Sequence, residues 1–145
     1  MDDATRRQQA LGVLAVGDAA RFRKTVSESD VYAFAGITGD MYAIHVDEEF
    51  ARTTRFGGRI AHGAMAVGFL STVVGQMAAR VPPPGAVSYR YEVTFRAPIR
   101  FGDTILAEVR VAGKDPERHE VILEARCSNQ RDETVVEGRL ILKVL

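Results

Sequence analysis

The chain has 145 residues, enough for one domain with a sizeable core, and its 46% hydrophobic and 26% charged residues are ordinary for a globular protein. Nineteen Lys and Arg balance nineteen Asp and Glu, in both halves alike, so no basic face or tail points to nucleic acid. A single cysteine, Cys127, excludes an internal disulfide and a cysteine-rich metal site, and its strand-like setting reads as a small buried hydrophobe.

The first apolar run, Ala10 to Gly17, follows Arg6 and Arg7 and faintly resembles a signal peptide. Eight residues with two glycines are better read as a structured lead-in to a cytoplasmic domain. Arg21 to Val26 is a weak strand. Ser27 with Asp30 three residues on forms a capping-box pattern, after which Val31, Phe34, Ala35 and Thr38 keep helical spacing. Asp47, Glu48 and Glu49 open a second short helix with acid at its positive end, and Phe50 is its expected anchor.

Gly63 to Ala79 is a run of 17 residues without a formal charge, rich in Gly and Ala. It is too short for a membrane span and holds Ser71, Thr72 and Gln76, so it predicts a central helix buried on every side and closely approached by other backbone. Val81-Pro82-Pro83-Pro84-Gly85 then stops helix and sheet alike.

Beyond it the period is two. Val87, Tyr89, Tyr91, Val93 and Phe95 alternate with polar residues as a half-buried strand. Ile105 to Val111, after a turn at Gly102-Asp103, gives a second strand, Val121 to Cys127 a third, and Thr134 to Val144 a fourth. Short connections such as Gly113-Lys114-Asp115-Pro116 favour antiparallel pairing. The expected architecture is α+β: a single domain over residues 1–145, one curved antiparallel sheet wrapped around one apolar helix.

Three histidines can be weighed for chemistry. His119, at a strand start, reads as solvated, and His62, just before Gly63, as packed or bonded to backbone. His45 stands five residues after Asp40. On a continuous helix the two would lie about 140° apart, whereas the glycine at 39 and the cap-like Asp47 suggest a loop in which they converge. A carboxylate and an imidazole facing an apolar pocket can hold one water and exchange its proton; the bland alternative is a loop cap and a core filler. Asp40, His45, Asp47 and His62 are metal-ligand types without a metal-binding spacing, and no metal is assigned. Neither a nucleophile elbow nor a phosphate-binding glycine loop is present. The glycines at 57, 58 and 63 allow close backbone approach at the helix mouth, where free N–H groups can receive a polarised oxygen.

Thr38-Gly39-Asp40, then Ile44-His45-Val46-Asp47-Glu48-Glu49-Phe50-Ala51, then Phe56-Gly57-Gly58-Arg59-Ile60-Ala61-His62-Gly63, resembles the MaoC-like family, in its (R)-specific enoyl-CoA hydratase branch of the hot-dog fold. The resemblance extends over nearly the whole chain. It implies that Asp40 and His45 are the catalytic pair that activates water, that the Gly63 N–H bonds the thioester oxygen, and that Ser71 lines the site. The substrate implied is an acyl-CoA or acyl-carrier-protein thioester, with no cofactor and no metal, in a homodimer that does not enter a membrane. One departure stands out: the family pattern D-x-N-P-x-H has Tyr42 and Ala43 here in place of Asn and Pro, so Tyr42 is expected to take up acyl-chain space. Two other readings remain open, a hot-dog thioesterase and a non-catalytic acyl-thioester-binding subunit. Arg55, Arg59, Arg96 and Arg100 could meet the carrier's phosphates, but solvated surface is their default and none is assigned.

Overall fold

A computed structural model describes residues 1–145. The chain opens with a helix, α1 (Asp3–Val13), capped by the Asp2 carboxylate, which accepts from the Thr5 N–H. Its Ala10 and Leu11, with Leu14 just beyond, are buried in the main core, so the lead-in is structured as expected. That it is helical had no clear sequence signal: Arg6, Arg7, Gln8 and Gln9 leave too few apolar positions to set a period.

Strand β1 (Ala19–Thr25) leads into α2 (Glu28–Thr38), whose capping box forms as read. Ser27 Oγ accepts from the Asp30 N–H, and Asp30 Oδ2 accepts from the Ser27 N–H. Lys24 Nζ, 2.7 Å from the same carboxylate, and the Ser27 N–H hold Asp30 down at about 2. Two short helices follow, α3 (Ala43–Val46) and α4 (Glu48–Arg52). The anchor of α4 is Ala51, fully buried, and not Phe50, which is 39% exposed. On a helix barely one turn long only one position faces the core, and here it is the next one.

Helix α5 (Gly63–Ala78) lies against a five-stranded antiparallel sheet of order β1-β3-β4-β5-β2. The remaining strands are β2 (Ala86–Phe95), β3 (Thr104–Asp115), β4 (Glu120–Ser128) and β5 (Thr134–Val144). The inward residues of the middle strands, Ile105, Val109, Val121, Leu123, Leu140 and Leu142 among them, are essentially inaccessible and meet Met65, Leu70, Val73, Val74 and Met77 of α5. Cys127 is part of this core, and burial pushes its thiol up to about 12, as suits an inert hydrophobe.

Three expectations need correction. First, α5 is buried on one face only: Ala64, Gly68, Ser71, Thr72, Gly75 and Gln76 are exposed. A Cβ added at Gly68 or Gly75 would meet nothing within 4 Å, so their smallness answers to no neighbour inside this chain. Second, Val87, Tyr89 and Phe95 of β2 are about half exposed, although their alternation reads as a buried face. β2 is an edge strand with a register shift between Ser88 and Arg90, and it pairs with β5 alone. Third, Gly113 and Lys114 are not a turn but β3 residues paired with Ile122 and Val121; the reversal falls at 116–119, where His119 takes a φ of 55° and is half-buried.

Arg59 is not solvated surface either. Its guanidinium bonds Glu28 of α2 at 2.7 Å and Glu48 of α4 at 2.9 Å, donates to the Tyr32 hydroxyl, and lies 4.9 Å over the Phe101 ring. These partners hold it firmly cationic. The side chain is 19% exposed and ties together the two helices that flank the Asp40–His45 segment. Arg59→Ala is expected to lower unfolding free energy by about 2 kcal/mol, with Arg59→Lys recovering little because lysine lacks the fork. Denaturant titration checks this, and unchanged stability in Arg59→Ala would dismiss the clamp.

Candidate active site

Gly39, at φ 79°, ends α2 in the left-handed conformation, its N–H bonding the Ala35 carbonyl. The chain therefore leaves the helix axis at once, and Asp40 starts a turn in which its Oδ1 accepts from the Tyr42 N–H at 3.2 Å. The single turn of α3 follows, where the sequence suggested only a loop. The turn and this short helix together fold His45 back toward Asp40.

His45 is 9% exposed. Its Nδ1 lies 2.7 Å from the Ile60 carbonyl oxygen, which can only accept, so Nδ1 carries the proton and Nε2 keeps its lone pair. Ile60 is itself fixed, its N–H donating to the Ile44 carbonyl. Burial holds His45 below its ordinary 6.5, and the neighbouring His62 adds to this, while the Ile60 bond and the Asp40 carboxylate pull the other way. The neutral, base-competent imidazole is the favoured form.

A carboxylate oxygen of Asp40 and one ring nitrogen each of His45 and His62 lie within 4.8 Å of one another. These are ligand types for a divalent cation, but the two imidazoles are stacked, with centroids 3.8 Å apart and planes at 28°. In-plane lone pairs on stacked rings run side by side instead of converging on one ion, and we assign no metal to the trio. Asp47, the fourth ligand type in the sequence, caps α4 by accepting from the Phe50 N–H.

Next to His62, α5 begins at Gly63 without a side-chain cap, and neither the Gly63 nor the Ala64 N–H has a hydrogen-bond partner. A cavity of about 390 Å³ reaches these donors, walled by Phe56, Ile60, Ala61, Phe95 and Ile99. Apolar walls ending on free N–H groups suit an acyl thioester. A larger hollow of about 510 Å³ lies on the outer face of the sheet, lined by charges that are mostly paired, such as Arg21 with Glu108 and Arg96 with Glu137, and no histidine lines it.

The structure thus gathers Asp40 and His45 around His62, the residue before Gly63, at one end of α5, and the cavity reaches Gly63 without being lined by either member of the pair. Of the other two sequence candidates, Tyr42 stands beside the pair but not at the cavity, and Ser71 is at neither. Ser71 is exposed two turns along the helix, outside the cavity. Tyr42 is also outside it, 57% exposed and edge-on to the His45 and Phe50 rings, so it does not fill this cavity. His62 is packed and backbone-bonded as expected, yet it sits much closer to the pair than its sequence position suggested. Arg100 donates to the Phe56 carbonyl, and Arg55 lies over the Phe56 ring beside the cavity.

A curved sheet closed on one long helix is the hot-dog architecture, and the solved (R)-hydratase from A. caviae involved in PHA biosynthesis has it too. It matches with a TM-score of 0.81 at 30% identity, over 91% of this chain and 98% of that one. The chain belongs to the MaoC-like domain family, whose model matches residues 14–131. Among curated relatives, an (R)-specific enoyl-CoA hydratase of Rhodospirillum rubrum is 42% identical over 128 residues, covering 88% of this chain and 86% of the relative. A 3-hydroxybutyryl-CoA dehydratase of Methylorubrum extorquens is 45% identical over 131 residues, covering 90% and 81%.

Proposed function

We propose that this protein is a hydro-lyase that interconverts trans-2-enoyl-CoA and (R)-3-hydroxyacyl-CoA through a water held by Asp40 and His45. The observation that carries the mechanism is the bond from His45 Nδ1–H to the Ile60 carbonyl, which leaves Nε2 free to act as a base. As the water oxygen bonds C3, its proton passes to the pair, and the C2=C3 electrons move toward the thioester oxygen. The Gly63 N–H receives that developing charge, and a proton returns from the pair to C2. Hydration is redox-neutral, so the proposed reaction asks for no redox cofactor, and the roles a metal would fill, activating water and polarising the carbonyl, fall to the Asp40–His45 pair and the Gly63 N–H. The names of both curated relatives support the CoA thioester, and that of the Rhodospirillum rubrum relative supports the (R) stereochemistry.

The test is to mix the protein with crotonyl-CoA and follow the enoyl absorbance beside free thiol. Loss of absorbance without thiol is expected. Thiol release would make the protein a thioesterase, and no change in either would leave an acyl-thioester-binding subunit.

We also infer a homodimer of single-domain chains. The exposed apolar residues of edge strand β2 and the bare face of α5 are surfaces that a second copy would cover. Ser71 lies on that bare face, so its part in the substrate site, like that of Tyr42, is proposed for the assembled dimer. Light scattering should give twice the chain mass, and a one-chain mass with full activity would overturn the dimer. No helix is long and apolar enough to cross a membrane, and we place the enzyme in the cytoplasm.

A further inference from the structure

We propose that His62 is a positioning residue for the hydration site: its ring braces the His45 imidazole while its Nε2–H pins the main chain of Asp40. The role as stated rests on the hydratase reading, although the contacts themselves do not.

His62 is 1% exposed and lies between two rings. Phe34 of α2 is tilted against it at 4.8 Å, and His45 is stacked on it at 3.8 Å. Its Nε2 is 2.9 Å from the Asp40 carbonyl oxygen. That oxygen can only accept, so the His62 proton resides on Nε2. Nδ1 is then a bare acceptor, and it is the one buried side-chain nitrogen or oxygen in the chain without a hydrogen-bond partner. A buried acceptor left unpaired is a loss that a phenylalanine of similar size would avoid. What the imidazole offers that phenylalanine cannot is the single N–H aimed at Asp40.

The geometry around that N–H makes one side chain common to the whole site. Asp40 lies on a turn just past α2, exposed, with only a 3.2 Å contact from the Tyr42 N–H to its carboxylate. The bond from His62 gives that turn an anchor in the core. The same ring covers one face of His45, whose other aromatic neighbour, Tyr42, approaches only edge-on at 6.1 Å. Rotation of the base out of plane is therefore blocked on the His62 side. Gly63, the next residue in the chain, carries the free N–H proposed for the thioester oxygen. Carboxylate, base and oxyanion donor are all indexed to His62, and displacements well under an ångström matter to a reaction that depends on placing one water.

Two variants separate the contributions. His62→Phe keeps the ring and its stacking but removes the donor. His62→Gln loses the ring but places an amide N–H the same number of bonds from the backbone. With crotonyl-CoA, His62→Phe is expected to lower kcat at least about tenfold with KM within about twofold, and His62→Gln to recover part of that loss. Denaturation midpoints measured alongside should change little in His62→Phe, because losing the unpaired Nδ1 offsets losing the bond to Asp40. A readout that needs no substrate is hydrogen exchange at the Tyr42 amide, which reports the Asp40 turn. It should accelerate at least about tenfold in His62→Phe and be slowed again in His62→Gln. Wild-type kcat and exchange in His62→Phe would overturn the proposal, as would losses in both variants that merely track lost stability. A wild-type protein inert toward crotonyl-CoA would end the hydratase reading alone, since exchange at Tyr42 still tests the brace.

Discussion

Asp40→Asn and His45→Ala are each expected to lower kcat by about 10²-fold or more while the fold persists. Asp40 is exposed and its side chain caps only a local turn, so asparagine keeps the shape and removes the charge. His45→Ala leaves the Ile60 carbonyl without its donor, so that variant also loses some stability, and circular dichroism should accompany the kinetics. Because both groups act on one water, the double variant should be little worse than the poorer single one. Near-normal turnover in both singles would mean that the site is elsewhere. The pH profile adds an independent check. Burial depresses His45 below 6.5, and the base must be neutral, so the acid limb of kcat should fall below that pH. The linkage has the same sign: folding favours the neutral ring, so this contribution to stability is complete above about 6.5 and fades as pH drops through the lower folded value.

The second large effect concerns the donor at Gly63. A Cβ there would come 2.8 Å from Phe95 Cδ1 and 2.9 Å from Cε1, so any side chain must first displace that ring. Phe95 is exposed, and Phe95→Ala should clear the space at little cost to the fold. In that background Gly63→Pro removes the N–H and sets the ring Cδ in the place of its hydrogen, so that position can no longer receive the oxygen. Gly63 is the first residue of α5, where proline is well tolerated, and His62, at φ −62° and ψ 127°, already has the conformation that must precede a proline. Losing an oxyanion donor is worth about 10²–10³ in kcat, so Phe95→Ala/Gly63→Pro should fall that far below Phe95→Ala. Equal rates would show that the thioester oxygen is received elsewhere.

Much of this fold is legible in the sequence because its middle strands are buried on one face with a strict period of two. Ile105, Val109, Val121 and Leu123 could hardly be read otherwise. The same rule misleads at β2, where alternation is intact but no layer of this chain lies over Val87 or Tyr89. Periodicity reports which residues share a face and is silent on what covers it. Helix α5 fails for the converse reason, since an uncharged run with apolar residues all round gives no sign of which side is bare. At the site, Asp40 and His45 are legible because chemistry limits the candidates to few residues. Their convergence depends on a left-handed Gly39 and one helical turn, and neither is fixed by a spacing of five. From the sequence His62 reads as a packing residue, and it is one; its contact with Asp40 spans 22 positions and has no local signature.

The partner that orients His45 is a peptide carbonyl, and this affects how the proposed activity can drift under mutation. A base steered by an aspartate or glutamate can be retuned by exchanging that residue, because the steering group is encoded by a single codon. The Ile60 carbonyl belongs to every residue type that could occupy the position, so replacing isoleucine by valine or leucine leaves the acceptor where it is. Its neighbouring N–H is spent on Ile44 in the same way, main chain to main chain. The ring orientation of the base is thus inherited from the path of the backbone and insulated from side-chain exchange at its partner. Variation in substrate preference can then accumulate along the cavity wall, Ile60 included, without disturbing which nitrogen takes the proton.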